Sequence, residues 1–318
     1  MKAHRLRGFV LRSLVVGLSL LIVVAILIVW TTLNPVVTGW NVASDLPISG
    51  VEPDDSQRDL RIRLMPGDPD RVYLLDSGQS QLFQSEDGGH TWLEIIPDKK
   101  GIVDVSVRQR EVCLLYSASL SCRSYDEGEW VSLLLPEVGA DVSATGLASD
   151  PQNKERLAVG YSNGRIDLSE DHGENWRTIA IAEKTSAIHR LGFSGDRLVA
   201  LSGAAPDGAL TIDLDTGDTR MIDPEPAWPG SANDLSIPSS LGRFLVSAGE
   251  DAIVDADVES VGWSLFHDPP PGTILSFAAW EDDIYVADGD LVYCNRVWSW
   301  LQLNWWRSKL NLPTPCMS

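Results

Sequence analysis

Positive charge is what this chain has least of. Its 318 residues hold 25 lysines and arginines against 45 acidic residues, a formal net charge of −20. Four of the cations (Lys2, Arg5, Arg7 and Arg12) precede the first acidic residue, Asp45, so the remainder carries 21 cations against 45 acids, net −24. Such a surface repels nucleic-acid phosphates and does not lie flat on anionic lipid headgroups. Cysteine is scarce too, with four in the chain. There is no Cys-x-x-Cys, no His close to the cysteines, no phosphate-binding glycine loop, no Ser-His-Asp arrangement and no dinucleotide fingerprint. The residues therefore point to no metal and no cofactor.

Charge is missing altogether between Ser13 and Trp30, a run of apolar and small residues. As a helix it spans about 27 Å, close to the roughly 30 Å hydrocarbon core of a bilayer. Basic residues precede it and acidic ones (Asp45, Glu52, Asp54, Asp55) follow. The positive-inside rule leaves residues 1–12 in the cytoplasm as a basic flank, makes 13–30 a single-pass signal anchor, and puts the rest on the extracytoplasmic side. A cleaved signal peptide is the competing reading, but the run is long and ends Ile-Val-Trp-Thr-Thr-Leu-Asn-Pro without a small-residue cleavage site. Residues 31–58 read as a linker.

After Trp30 no stretch has convincing helical periodicity. Short apolar runs alternate with turn residues, the pattern of an all-β fold. Residues 85–92 read Ser-Glu-Asp-Gly-Gly-His-Thr-Trp and residues 169–176 read Ser-Glu-Asp-His-Gly-Glu-Asn-Trp. Both fit S-x-D-x-G-x-x-W, with Ser85, Asp87, Gly89, Trp92 and Ser169, Asp171, Gly173, Trp176 at the fixed positions. Between them Ser124, Asp126, Gly128 and Trp130 form the same motif shortened by one residue. Eroded copies follow at Asp215-Thr-Gly217 and at Asp257 with Trp263. The recurring aspartates are about 40 residues apart, the length of a four-stranded propeller blade. A last unit, Ile274–Leu303, has a short Asn295-Arg296 turn in place of the motif.

This pattern resembles the Asp-box, or BNR repeat, of sialidase-like propellers. The resemblance implies a β-propeller of about six four-stranded blades over residues 59–303, seven being the alternative, with a Trp-rich tail at 304–318. In families sharing the box its role is structural, at the periphery. Ser and Asp side chains hold the amides of a C–D hairpin, Gly takes a backbone angle closed to side chains, and Trp packs between blades. His90 and His172 fall at variable box positions and are expected to be exposed turn residues.

Cys113 and Cys122 flank a hairpin whose turn is Ser117-Ala118, which sets the two directly opposite in a closely spaced pair suited to a disulfide. Cys294 and Cys316 are then left to pair with each other. Both bonds imply an oxidising compartment.

Catalytic signals are thin. A sialidase needs three arginines for its substrate carboxylate, and the loops assigned to the central face (among them 76–78, 116–119, 160–164, 203–208, 249–251 and 288–290) contain none. Leu60-Arg61-Ile62-Arg63 is a faint echo of the family's Phe-Arg-Ile-Pro segment, with Arg63 in place of proline. A glycosidase needs two carboxylates about 5–9.5 Å apart, for which Glu250, Asp251, Asp288 and Asp290 are the candidates. Among propellers with this box the chain looks most like the assembly-factor type of photosynthetic membrane complexes, which bind proteins and catalyse nothing. The expectation is a non-enzymatic, membrane-anchored scaffold or assembly factor with protein partners, on a cell or thylakoid-type membrane. A carbohydrate-active or carbohydrate-binding surface protein is the alternative.

Overall fold

A computed structural model describes residues 36–37, 41–45 and 47, together with residues 59–298 apart from 126–127, 182–186, 203–208, 223–227, 231, 239–242, 250–251, 259–262, 266–273, 275, 281–282 and 288–290. The expected anchor at 13–30, the tail at 304–318 and Cys316 lie outside the described residues. So do Asp126, Glu250, Asp251, Asp288 and Asp290. No helix among the described residues is long and apolar enough to cross a membrane.

The described chain is an all-β propeller. Blade 1 pairs Leu60–Met65, Asp68–Asp76, Gln81–Ser85 and Leu93–Ile95 in chain order. Blade 2 does the same with Ile102–Arg108, Glu111–Tyr116, Ser119–Ser124 and Trp130–Leu134. In blade 3 the strands are Ala144–Ser149, Leu157–Tyr161, Arg165–Ser169 and Arg177–Ile181. Blade 4 uses Ile188–Ser194, Arg197–Ser202, Ala209–Asp213 and Thr219–Ile222. Blade 5 consists of Ala232–Ser236, Arg243–Ala248, Ala252–Asp257 and Trp263–Leu265. Antiparallel neighbours joined by tight turns bring every strand beside its sequence neighbour, so each blade forms locally.

Five blades of four consecutive strands is one fewer than the repeat count implied. Within Ile274–Leu303 the described residues form three strands, Ser276–Trp280, Asp283–Ala287 and Leu291–Trp298. The Asn295-Arg296 pair expected to turn the chain lies inside the third of these. A tight hairpin turn wants positive φ at both central residues, and arginine does not supply it. The outer strand of this closing sheet comes instead from Asn41–Asp45, in the segment read as a linker, with Asn41 opposite Cys294 and Asp45 opposite Leu291. In a separate unit, Val36–Val37 pairs with Val297 and Trp298.

The core lies between sheets rather than within them. Leu75 and Leu82 of blade 1 pack with Val105 and Leu114 of blade 2, and Leu115 and Leu120 pack with Val159 and Tyr161 of blade 3. The pattern continues around the ring to Phe277 and Val286, which meet Leu245 and Ile253 of blade 5. On its other side the closing sheet sets Tyr285, Ala287 and Val292 against Leu60, Ile62 and Leu74 of blade 1. Each sheet therefore buries both faces, which explains why the second strands, such as Val72–Leu75, read as unbroken apolar runs.

Candidate functional site

The two full motif copies build the same turn. Ser85 Oγ accepts from the Gly89 amide at 2.8 Å and donates to Asp87 Oδ1 at 2.8 Å, while Asp87 Oδ1 accepts from the Thr91 amide at 2.8 Å. In the second copy Ser169 Oγ accepts from the Gly173 amide at 2.7 Å and donates to Asp171 Oδ1 at 2.9 Å. The Asn175 amide then donates to that oxygen at 2.8 Å. Gly89 and Gly173 have φ of 89° and 87°, a backbone that side chains rarely adopt. Burial works against the Asp87 carboxylate, but the Thr91 and Ser85 hydrogen bonds more than offset it and hold its pKa below the ordinary value. Replacing Asp87 by alanine is expected to cost about 1 kcal/mol, the worth of an ordinary hydrogen bond, read from a denaturant melt. Asp171→Ala should act in the same direction.

Each motif tryptophan reaches back to the preceding sheet. Trp176 Nε1 donates to Leu134 O at 3.1 Å and Trp130 Nε1 to Ile96 O at 3.2 Å. By the same rule Trp92 Nε1 donates to Ser44 Oγ at 2.9 Å, on the N-terminal strand that completes the closing sheet. The two motif histidines also bridge sheets. His90 is exposed in its turn, as expected, with Nδ1 3.1 Å from Ala43 O, and the half-buried His172 has Nε2 3.2 Å from Glu111 Oε2. The eroded fourth copy shifts its acid: Asp213, not Asp215, accepts from the amides of Asp215 and Thr216.

Cys113 and Cys122 are directly paired across their hairpin and joined by a disulfide, with Cα atoms 4.1 Å apart. Mass spectrometry of unreduced protein should recover a peptide pair linked through these two residues. Free thiols at both would contradict the bond. Beside it Glu111 pairs with Arg108, whose guanidinium also donates to Lys154 O in blade 3.

The arginines absent from the loops come from the inner strands. In blades 2 to 5 a β-bulge falls just before one residue, and the residue after it faces the axis: Asp104, Gly146, Arg190 and Asp234. Arg61 and Ser276 hold the matching positions in blade 1 and the closing sheet. Arg190 Nε donates to Asp234 Oδ1 at 2.7 Å, and Arg63 Nη1 lies 3.5 Å from Asp234 Oδ2. Arg61 and Arg63 lie 3.7 and 3.6 Å from Asp104. Asp234 also accepts from the Ser276 hydroxyl and from the Phe277 amide at 3.2 Å. Asp104 accepts from the Leu147 amide of the next blade at 2.9 Å, and Ser276 Oγ from the Ile62 amide at 2.9 Å. The ring therefore ties neighbouring blades together at the axis.

Both ring carboxylates are buried, with side-chain exposures of 1% for Asp104 and 0% for Asp234. Burial would raise the Asp234 pKa, but Arg63, Arg190 and Arg61 together with the Ser276 hydrogen bond outweigh it and hold the group well below the carboxylate range. Burial likewise opposes the charge on Arg61, and Asp104, Asp59 and Asp234 outweigh it in raising that pKa. Of these residues only Arg61 and Arg63 stand in a recognisable sequence segment; the signal for Asp104, Arg190, Asp234 and Ser276 is their recurrence, with Gly146, at blade length along the chain.

Toward the turns at Pro66 and Pro151 the axis opens into a cavity of about 100 Å³, lined by Arg63, Ser106, Ser149, Gly192, Ser236 and Ala278 among others. It is small beside the roughly 300–1,000 Å³ of sites for small organic molecules.

The sequence matches no known family model and no curated protein. Solved structures share its fold. YCF48 from Cyanidioschyzon merolae is 13% identical, with 82% of this chain and 86% of that one covered and a TM-score of 0.52. A Bacteroides thetaiotaomicron protein of unknown function is 10% identical, with 83% and 77% covered and a TM-score of 0.59. The GH74 enzyme of Niastella koreensis is 15% identical over 74% of this chain and 44% of that one, at a TM-score of 0.51. At these identities the likeness is one of fold.

Proposed function

We propose that the protein is a membrane-anchored scaffold, an assembly factor of the Asp-box kind, whose propeller binds protein partners in a membrane complex on the extracytoplasmic side. The observation that carries this reading is the rim of blades 1 and 2. There Leu93, Ile96, Val131 and Leu134 are 71%, 82%, 58% and 84% exposed. The outer strands of the two blades lie side by side there, since Trp130 Nε1 donates to Ile96 O and Lys99 Nζ to Ser132 Oγ. Large apolar side chains clustered in water mark partner surfaces more often than solvated ones. The axis supports the reading from the other side. Its two buried carboxylates are committed to arginines, so neither is poised as a glycosidase acid or nucleophile.

Two measurements test this. Incubated with a panel of oligosaccharides, the purified protein is expected to release no product. Turnover that disappears when Glu250 or Asp288 is replaced would establish the carbohydrate reading in its place. Protease added to spheroplasts is expected to remove the propeller and leave a small stub in the membrane, and full protection would contradict the topology.

A further inference from the structure

We infer that Trp130–Leu134, the outer strand of blade 2, is a docking edge that takes an extended, uncharged apolar segment of a partner protein as an added β-strand. The inference rests on the protein-binding reading above and gives that rim its mode of recognition. An outer strand leaves a row of backbone N–H and C=O groups without a neighbour, and proteins blunt such edges with charge, bulges or brevity. The other outer strands of the propeller are blunted in these ways. Leu93–Ile95 is three residues long and holds Glu94, and Trp263–Leu265 is also three residues. Arg177–Ile181 opens on an arginine and pairs across a bulge, Thr219–Ile222 carries Arg220, and Asn41–Asp45 has both a bulge and an acid. Trp130–Leu134 has five residues, no charge and an unbroken register against Ser119–Ser124.

The pairing within blade 2 fixes which groups the edge offers. Tyr125 N donates to Arg110 O at 2.8 Å, and hydrogen-bonded and non-hydrogen-bonded pairs alternate from there along the hairpin. Leu120 and Cys122 therefore turn their backbone groups toward the outer strand, where they meet Leu133 and Val131. Trp130, Ser132 and Leu134 turn theirs away from the blade, and of these the Leu134 carbonyl already accepts from Trp176 Nε1 at 3.1 Å. Only an extended backbone matches donors and acceptors spaced along a strand edge. Side chains select its composition. Val131 and Leu134, 58% and 84% exposed, stand on opposite faces of the strand, and Ile96 beside them is 82% exposed. An uncharged segment suits an uncharged edge. A second copy of this chain is the poorer occupant, because each copy carries a net charge of −20 and the two repel.

The test uses the full chain, tagged and recovered from membranes with its partners. Ser132→Pro deletes one outward N–H while keeping the apolar rim, and proline is tolerated at an outward edge position. Partner recovery should fall by about tenfold or more in this variant. In hydrogen–deuterium exchange the amides of Trp130, Ser132 and Leu134 should exchange about tenfold or more slowly in the native complex than in the chain alone. Partner retained by a folded Ser132→Pro protein, or unchanged exchange at these amides in the complex, overturns the inference and leaves the scaffold reading standing. If Ser132→Pro does not fold, the exchange measurement decides alone. A native chain that recovers no partner removes the scaffold reading and this inference together. Native dimers that Ser132→Pro abolishes would make the occupant a second copy, and the inference falls.

Discussion

Replacing Asp234 by alanine is expected to lower stability by about 3–5 kcal/mol, the usual cost of removing one partner of a buried ion pair. The side chain is fully buried and serves three sheets at once: Arg190 in blade 4, Arg63 in blade 1, and Ser276 with the Phe277 amide in the closing sheet. Its loss leaves the buried Arg190 guanidinium without its carboxylate and Arg63 with Asp104 alone. The melting temperature should fall by roughly 6–20 °C, since each kcal/mol is worth about 2–4 °C in a domain of this size. A variant that melts within 2 °C or so of the native protein would mean that the ring is hydrated and contributes little.

The same carboxylate sets an acid limit. Its folded pKa lies below its unfolded value, so its contribution to stability is complete above the unfolded pKa of about 3.9 and is lost as pH falls through the folded value. Denaturant midpoints should therefore fall below about pH 4 in the native protein and show less of that fall in Asp234→Asn.

The second large effect concerns the strand Asn41–Asp45. Shortening the protein to begin at Ile48 instead of Gly39 is expected to destabilise the propeller by about 3 kcal/mol or more, counting roughly 1 kcal/mol for each lost ladder or side-chain hydrogen bond. The strand supplies the outer edge of the closing sheet and the partners of Trp92 and His90, and Ala43 packs against the core shared with blade 1. Its loss also bares the edge of Leu291–Trp298, so the shortened protein should associate at high concentration. Equal melting of the two shortened proteins would show that the ring closes without this strand.

Blades 1 to 3 were legible because their signals are local. The motif at residues 85–92 fixes a hairpin by its own hydrogen bonds, as its second copy at 169–176 does in blade 3. The Cys113–Cys122 pair follows from counting outward from its two-residue turn. The closing sheet was not legible, because its outer strand is separated from the rest by more than 200 residues and no local rule announces such a pairing. The axial ring was missed for a different reason. Its arginines and aspartates lie in strands, not loops, and the bulge before Asp104, Arg190 and Asp234 turns them inward. Their recurrence at blade length was the available signal.

The scaffold reading is tested most directly by affinity purification from membranes. The native chain, tagged at its C-terminus, is compared with a variant carrying Ile96→Asp and Leu134→Asp. Both positions are exposed, so the two substitutions should leave the melting temperature within about 1 °C of native. The native protein is expected to bring down integral membrane proteins in fixed proportion, and the variant to lose them at unchanged expression. Recovery of the same partners with the variant, or of the native chain alone after gentle cross-linking, would contradict the account.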